Sequence, residues 1–396
     1  MPLKKIFVVF LDFKVMINKK ISKELQTLAW LSLPVLSSIE VERIAALLPK
    51  INFQRLETLI TQHRTHPCVY HNIRQYFINE VPTNFSSQLK NKYNKNLTNN
   101  IKQLQICAKL KYLCQLDNIL IHFFKGLSLS KAIYHDIALK HNNDIDAIIS
   151  TTDIIPINNI LNNMGFYAKT FDSLDEDWKK QYFKSTKDIK YSNNQGVIIE
   201  IHLRLSNNPI EQLEAYQKNL FSRKEIFQEN LSLDEFFYLC WHGSHSLFHR
   251  LKWLVDLKLY SEQLEQKIED SDYFSNNNAR VIVSGLSLLS ILYDTPLSEK
   301  AKTFYNTDLI CRNMVKTCLQ GLDNPKYTNS YLFNIKSHFF EITALKNVNY
   351  NITMLAKKFI PSEIDILTLK HLSTRWLFLY YPLRPFLAFK RKFLTK

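Results

Sequence analysis

The stretch from Ile119 to Ile149 constrains the fold more than any other part of the chain. A short apolar run, Ile119 to Phe124, ends in Lys125-Gly126. A segment of helical pattern follows and leads to Asp144-Ile145-Asp146, which opens a second apolar run from Ile145 to Ile149. The order is strand, glycine turn, helix, strand. Side chains alternate along a strand, so Asp144 and Asp146 share one face while Ile145 enters the core. Two carboxylates held that close repel unless something positive lies between them. A divalent ion with bound phosphates is the usual answer, because Mg²⁺ takes one or two carboxylates plus substrate phosphate oxygens.

A chain of 396 residues is long for one compact domain and implies two or three. Hydrophobic residues make up 46%, enough for real cores, which excludes global disorder. The net charge of +15 favours an anionic partner: nucleotide, nucleic acid or acidic lipid. A general bias toward Lys accounts for it equally well, since no tight basic cluster precedes the C-terminus. Glycine is scarce, so Gly126, Gly165, Gly196 and Gly243 each mark a backbone requirement. The cysteines form no CxxC pair. Cys107/Cys114 and Cys311/Cys318 lie seven apart in helical stretches, which reads as buried small apolar positions and fits a reducing cytoplasm. The N-terminal run Ile6 to Leu11, after Lys4 and Lys5, is faintly like a signal peptide. Asp12 interrupts it and no small-residue cleavage site follows. No uncharged apolar stretch is long enough for stable membrane insertion.

From Ser22 to Leu116 the pattern is helical. Ile39 to Leu48 has Ser37 or Ser38 as its cap, and Phe53 to Gln62 forms a second helix. His66-Pro67 breaks that helix and Val69 to Phe77 resumes it. Asn84 to Asn100 reads as an exposed polar segment, and Ile101 to Leu116 as helix again. Strand-like runs then occur at Ile119 to Phe124, Ile145 to Ile149, Tyr167 to Phe171 and Val197 to Leu205. A helix from Asp153 to Met164, capped by Asp153 and stopped by Gly165, separates the second run from the third. Asn193 to Gly196 is a hairpin turn before the last strand. The boundaries drawn are 1–117, helical; 118–208, a small α/β core with a mixed sheet; and 209–396, helical with a basic tail.

In the last strand Glu200, His202 and Arg204 alternate with Ile199, Ile201, Leu203 and Leu205. Two readings stand: an ordinary half-exposed edge strand, or a strand whose Glu200 faces Asp144 and Asp146 as a third carboxylate. Ser232 caps a helix that carries His242, His245 and His249 on one face. No HExxH accompanies them, so they read as buried or site-lining histidines. The tail Arg384 to Lys396 has five basic residues, no acid and three phenylalanines. It reads as a solvated helix or as a segment that touches lipid or RNA.

Together these segments resemble an uncharacterised nucleotidyltransferase family of the DNA polymerase beta-like superfamily. The resemblance is carried by Phe123-Phe124-Lys125-Gly126, Tyr134, Asn143-Asp144-Ile145-Asp146, Met164-Gly165-Phe166, Glu200 to Leu205, His242-Gly243, and Arg250 to Asp256. Gln62 to Pro67 looks like the family's N-terminal helical part. Three departures stand out. Lys140-His141 replaces an Arg before the aspartates, Ala147 replaces a larger apolar residue, and Ser128 lies one position later than the usual glycine-turn serine.

The resemblance implies an α+β fold, a small mixed-sheet domain flanked by helical regions. It implies transfer of a nucleoside monophosphate from an NTP to an unknown acceptor, with release of pyrophosphate. The acceptor is a small molecule before a nucleic acid or protein. Asp144, Asp146 and Glu200 would hold Mg²⁺ or Mn²⁺, with Glu200 alternatively acting as base. Lys125, Gly126, Ser128 and Lys140 would receive the nucleotide phosphates. His202, Arg204 and His242 would line the acceptor side. The alternatives are an inactive nucleotidyltransferase fold used as an interaction module, and an RNA-binding or RNA-modifying protein.

Overall fold

The computed structural model describes residues 21–208, 210–222, 231–274, 276–371 and 373–393. The apolar run Ile6 to Leu11 and the last three residues of the basic tail lie outside the described residues. The chain divides into two compact units built from separated segments. One takes residues 21–100, 129–141 and 231–346; the other takes 101–128, 142–222 and 347–393.

The first unit is helical. Helix Ser38–Leu47 starts at Ser37, whose hydroxyl accepts from the Glu40 amide while Glu40 reaches back to the Ser37 amide. Pro67 falls in the first turn of helix His66–Asn72, where its missing N–H costs nothing. The polar stretch Asn84 to Asn100 is exposed along one side and buried along the other, at Phe85, Leu89, Asn96 and Asn100. It belongs to one continuous helix, Thr83–Leu116. Asn96 and Asn100 are buried because their amides satisfy backbone carbonyls: Asn96 donates to Lys140 at 3.1 Å, and Asn100 to Ile137 and Lys140 at 2.6 and 2.9 Å. Helix Ala279–Tyr293 is apolar almost all round and almost wholly buried. It packs against Leu233–His245, Leu251–Asp270 and Leu309–Asp323 as the central rod of this unit.

The helix capped by Ser232 runs Leu233–His245 and stops there. Leu247 and Phe248 adopt left-handed φ of 51° and 43°, and the Phe248 amide returns to the Gly243 carbonyl at 2.7 Å. The Phe248 ring then lies on Gly243, where a Cβ would come within 2.1 Å of Phe248 Cε1. His249 therefore lies beyond the helix and does not extend the face of His242 and His245.

The second unit holds a four-stranded sheet in the order β1-β2-β4-β3, with β1 Ile121–Phe123, β2 Asp144–Ile149, β3 Asp188–Ser192 and β4 Ile198–His202. β2 and β4 are parallel; β1 and β3 pair antiparallel on the outside. β4 is thus a central strand, and the edge-strand reading of Glu200 to Leu205 does not hold. One face presents Ile121, Phe123, Ile145, Ala147, Ile149, Ile189, Tyr191, Ile199 and Ile201 to a core shared with Cys107, Leu110 and Cys114, helix Ile154–Asn163, and Trp178 and Tyr182. The opposite face is the polar one.

Tyr167 to Phe171 is not a strand. Tyr167 forms a single bridge to Ser192. Asp172 then accepts from the Ala168 amide at 3.1 Å and winds Lys169–Asp172 into a short helix that buries Phe171. Asp153 makes no cap bond; Ser150 caps instead, accepting from the Thr152 amide of a 3₁₀ turn that leads into Ile154–Asn163. Gly165 follows that helix with φ +81°, a conformation that glycine adopts without strain. The C-terminal helix Leu377–Phe393 is held by Arg384, which donates to the Asp365 carboxylate at 3.1 Å. Among the described residues no helix is long and apolar enough to cross a membrane.

Candidate metal centre

The register of β2 on β4 places Asp146 opposite Glu200, Asp144 opposite Ile198, and Ile148 opposite His202. Directly paired residues point to the same face. Asp144, Asp146, Glu200 and His202 therefore stand together on the polar face, and β3 adds Asp188 opposite His202 and Lys190 opposite Glu200. Oxygen or nitrogen atoms of Asp146, Glu200 and His202 all lie within 4.8 Å of one another.

Asp146 is the hub. Its Oδ1 accepts from His202 Nε2 at 2.9 Å and meets Lys125 Nζ at 3.3 Å. Burial alone would raise its pKa, but the Lys125 ammonium and the His202 hydrogen bond hold the carboxyl well below the usual carboxylate range. His202 is fully buried. Burial, helped by Lys187, pulls its imidazole down to about 4 against the raising effect of Asp146, so the ring is neutral at pH 7. An ionised carboxylate only accepts, so Nε2 carries the proton and Nδ1 keeps a lone pair. That Nδ1 is buried, has no hydrogen-bond partner, and lies 3.8 Å from Asp188 Oδ2. Phe124 packs edge-on against the imidazole, 4.9 Å between centroids, and fixes its plane.

Glu200 behaves in the opposite way. Burial, then the charges of Asp146, Asp144 and Asp188, push its carboxyl up to about 7. A cluster whose third acid holds its proton near neutrality is short of positive charge, and a cation placed there relieves it. The cluster of Asp146, Glu200 and His202, with Asp144 on the same face, offers a set of groups that fits a divalent ion, the carboxylates as oxygen donors and His202 holding Asp146 in place.

Lys125-Gly126 forms the turn out of β1. Both residues have positive φ, 55° and 28°, and helix Gly126–Tyr134 begins at the glycine. A Cβ on Gly126 would make only ordinary contacts, 3.6 Å to the Asp144 carbonyl and 3.8 Å to Asn142 Oδ1. The glycine is therefore required by backbone angle and not by lack of space. The Phe124 amide donates to the Asp146 carbonyl at 3.2 Å, which ties this turn to the strand carrying the aspartates.

A family model described as an uncharacterised nucleotidyltransferase matches residues 49–293, more than half of the chain. The chain belongs to this nucleotidyltransferase family. The family is part of the polymerase beta-like superfamily. No curated protein and no solved structure matches the chain.

The chain holds its remaining candidate residues in various surroundings. Ser128 is buried in the first turns of helix Gly126–Tyr134. Arg204 lies past the end of β4. Its guanidinium donates to the carbonyls of Phe183 and Thr186 and to Asn207 Oδ1, closing the C-terminal end of helix Glu176–Ser185. Lys140 and His242 belong to the helical unit. The Lys140 ammonium is buried in an ion pair with Asp256, 2.6 Å to Oδ2, and Tyr134 donates to Asp256 Oδ1 at 2.7 Å. Tyr134, Lys140 and Asp256, which the sequence presents as three separate motif residues, are thus one buried knot. His242 lies between the rings of Tyr238 and Trp253 at 6.1 and 5.3 Å. Asp188 was not singled out from the sequence. The alternation Asp188-Ile189-Lys190 before the Asn193 to Gly196 turn carried the signal, because a hairpin partner of β4 must share its polar face.

Proposed function

We propose that this chain is a divalent-metal-dependent nucleotidyltransferase that transfers a nucleoside monophosphate from an NTP to an acceptor hydroxyl and releases pyrophosphate. The observation that carries the reading is the pairing of Asp146 with Glu200 beside a neutral His202 on one buried sheet face. Asp146, Glu200 and Asp144 would hold Mg²⁺ or Mn²⁺. Such an ion supplies charge neutralisation at the triphosphate and lowers the pKa of the acceptor hydroxyl.

The chain's own residues do the rest. His202, donating through Nε2, orients Asp146. The amides opening helix Gly126–Tyr134 offer an anion site to the phosphates. Lys125, already beside Asp146, adds a cation at the same place. Glu200 would complete the carboxylate set on the ion, which relieves its raised pKa, or alternatively act as base on the acceptor hydroxyl. The acceptor we propose is a small molecule. Six free, buried cysteines suit a reducing compartment such as the cytoplasm.

The test is binding of labelled ATP, GTP, CTP and UTP with and without Mg²⁺, to the wild type and to the Asp144→Asn/Asp146→Asn double variant. Metal-dependent binding that the double variant loses supports the reading and identifies the base. No nucleotide binding by the folded wild type overturns it and leaves an interaction module as the use of the fold.

A further inference from the structure

The helical unit contains a cavity of about 600 Å³ that the metal centre does not use. That volume suits a small-molecule ligand. Its walls bring together three sequence stretches that sit far apart: one carries Arg64, a second His245, His249 and Arg250, and a third runs from Pro325 to Ser337. No carboxylate is among the lining residues. The positive field is felt inside the protein. Burial lowers the His249 pKa, and the Arg250 and Arg64 guanidiniums lower it further, against a hydrogen bond to the Ser246 carbonyl.

The backbone around the cavity is costly to hold. Arg64 ends helix Phe53–His63 with φ +56°, and Leu247 and Phe248, between the lining residues Ser246 and His249, are left-handed as well. Non-glycine residues in that region carry strain that persists only where packing enforces it. His63 does the enforcing. It is fully buried and donates through Nε2 to the Leu322 carbonyl at 2.9 Å. Its Nδ1 accepts from the Leu251 amide at 3.2 Å, next to Arg250. One imidazole thus fixes the two arginine-bearing segments to each other. The rest of the wall is suited to hydroxyl groups. Asn329, Asn334 and Ser337 line it.

We propose that this cavity is a second ligand site, and that it takes a small hydroxylated molecule bearing a phosphate group, of the sugar-phosphate class, with Arg64 and Arg250 on the phosphate. Guanidinium groups match phosphate oxygens in a planar, two-pronged geometry, and the amide and hydroxyl wall matches the polyol. The inference stands independently of the metal-centre reading, since no residue is shared.

The test uses inorganic phosphate as the common probe, followed by ³¹P transverse relaxation on the full chain in EDTA. Glucose 1-phosphate and glucose serve as competitors. Binding is expected, and it should weaken at least about tenfold in Arg64→Gly and in Arg250→Gln. Arg64→Gly removes the guanidinium while relieving the left-handed backbone, so its melting temperature should hold or rise. Asp146→Asn should bind phosphate as the wild type does. Displacement by glucose 1-phosphate at lower concentration than by phosphate itself supports recognition of the hydroxyls; equal displacement overturns that part. The site is overturned if phosphate at about 10 mM shows no enhanced relaxation, if both arginine variants bind like the wild type, or if Asp146→Asn alone abolishes binding.

Discussion

Asp146 and Glu200 are direct partners across the parallel pairing of β2 with β4. Two acids in that relation, both largely withdrawn from water, are an energetic conflict that the protein settles by splitting their titration. Asp146 stays ionised under Lys125 and His202, and Glu200 keeps its proton to about pH 7. Several consequences can be measured.

Replacing Asp146 by Asn keeps the shape and removes the hub charge. Affinity for Mn²⁺, read by electron paramagnetic resonance, is expected to fall by more than about a hundredfold, beyond the 10- to 100-fold typical of losing an outer-shell partner. His202→Ala should fall within that smaller range. Equal losses in the two variants would argue that His202 is itself a ligand.

Metal binding at this cluster is expected to follow the proton on Glu200. Its folded pKa of about 7 lies above its ordinary value, so below pH 7 a metal ion must displace a proton. Affinity is expected to rise roughly tenfold per pH unit up to about 7 and then level off. Calorimetry in buffers of different ionisation enthalpy should count one proton released near pH 6 and fewer above pH 8. For folding stability the sign is the reverse. The Glu200 contribution is complete below about pH 4.5 and is lost as pH rises through 7, so Glu200→Gln should flatten that limb relative to the wild type.

Lys140 and Asp256 form a pair with both side chains about 5% exposed. Asp256→Ala leaves a buried ammonium and is expected to destabilise the protein by roughly 3–5 kcal/mol. The double variant Lys140→Met/Asp256→Leu should recover most of that loss. Urea denaturation of the single and double variants makes the comparison, and a double variant no better than the single would refute the pairing as drawn.

Arg204 is a helix-end clamp in this fold. Arg204→Ala should lower stability by about 1–3 kcal/mol through the carbonyls of Phe183 and Thr186. The folded fraction is expected to bind metal and nucleotide as the wild type does. A specific loss of nucleotide binding with unchanged stability would return Arg204 to the acceptor side.

Local periodicity made the candidate metal centre legible. Asp144 with Asp146, and Glu200 with His202, are each spaced by two, so each pair declares a shared face from sequence alone. Adjacency of the two strands was not legible, because a parallel pairing joins residues more than fifty positions apart and leaves no local trace. Within the polar segment Asn84 to Asn100 the buried side was not legible, because polarity normally marks exposure, whereas Asn96 and Asn100 spend their amides on backbone carbonyls inside the unit. Tyr167 to Phe171 misled because a single side-chain acceptor, Asp172, is enough to wind an apolar stretch of that length. His249 left its expected face because Gly243 admits the Phe248 ring and turns the chain.

The strand order has a kinetic consequence. β2 and β4 are bonded on both sides, so their amides sit in the part of the sheet that opens last, while β1 and β3 guard the margins. Deuterium should enter the backbone at Ile145 to Ile148 and Ile199 to Ile201 more slowly than at β1 or β3. The carboxylates are thereby expected on the slowest-exchanging backbone of their unit.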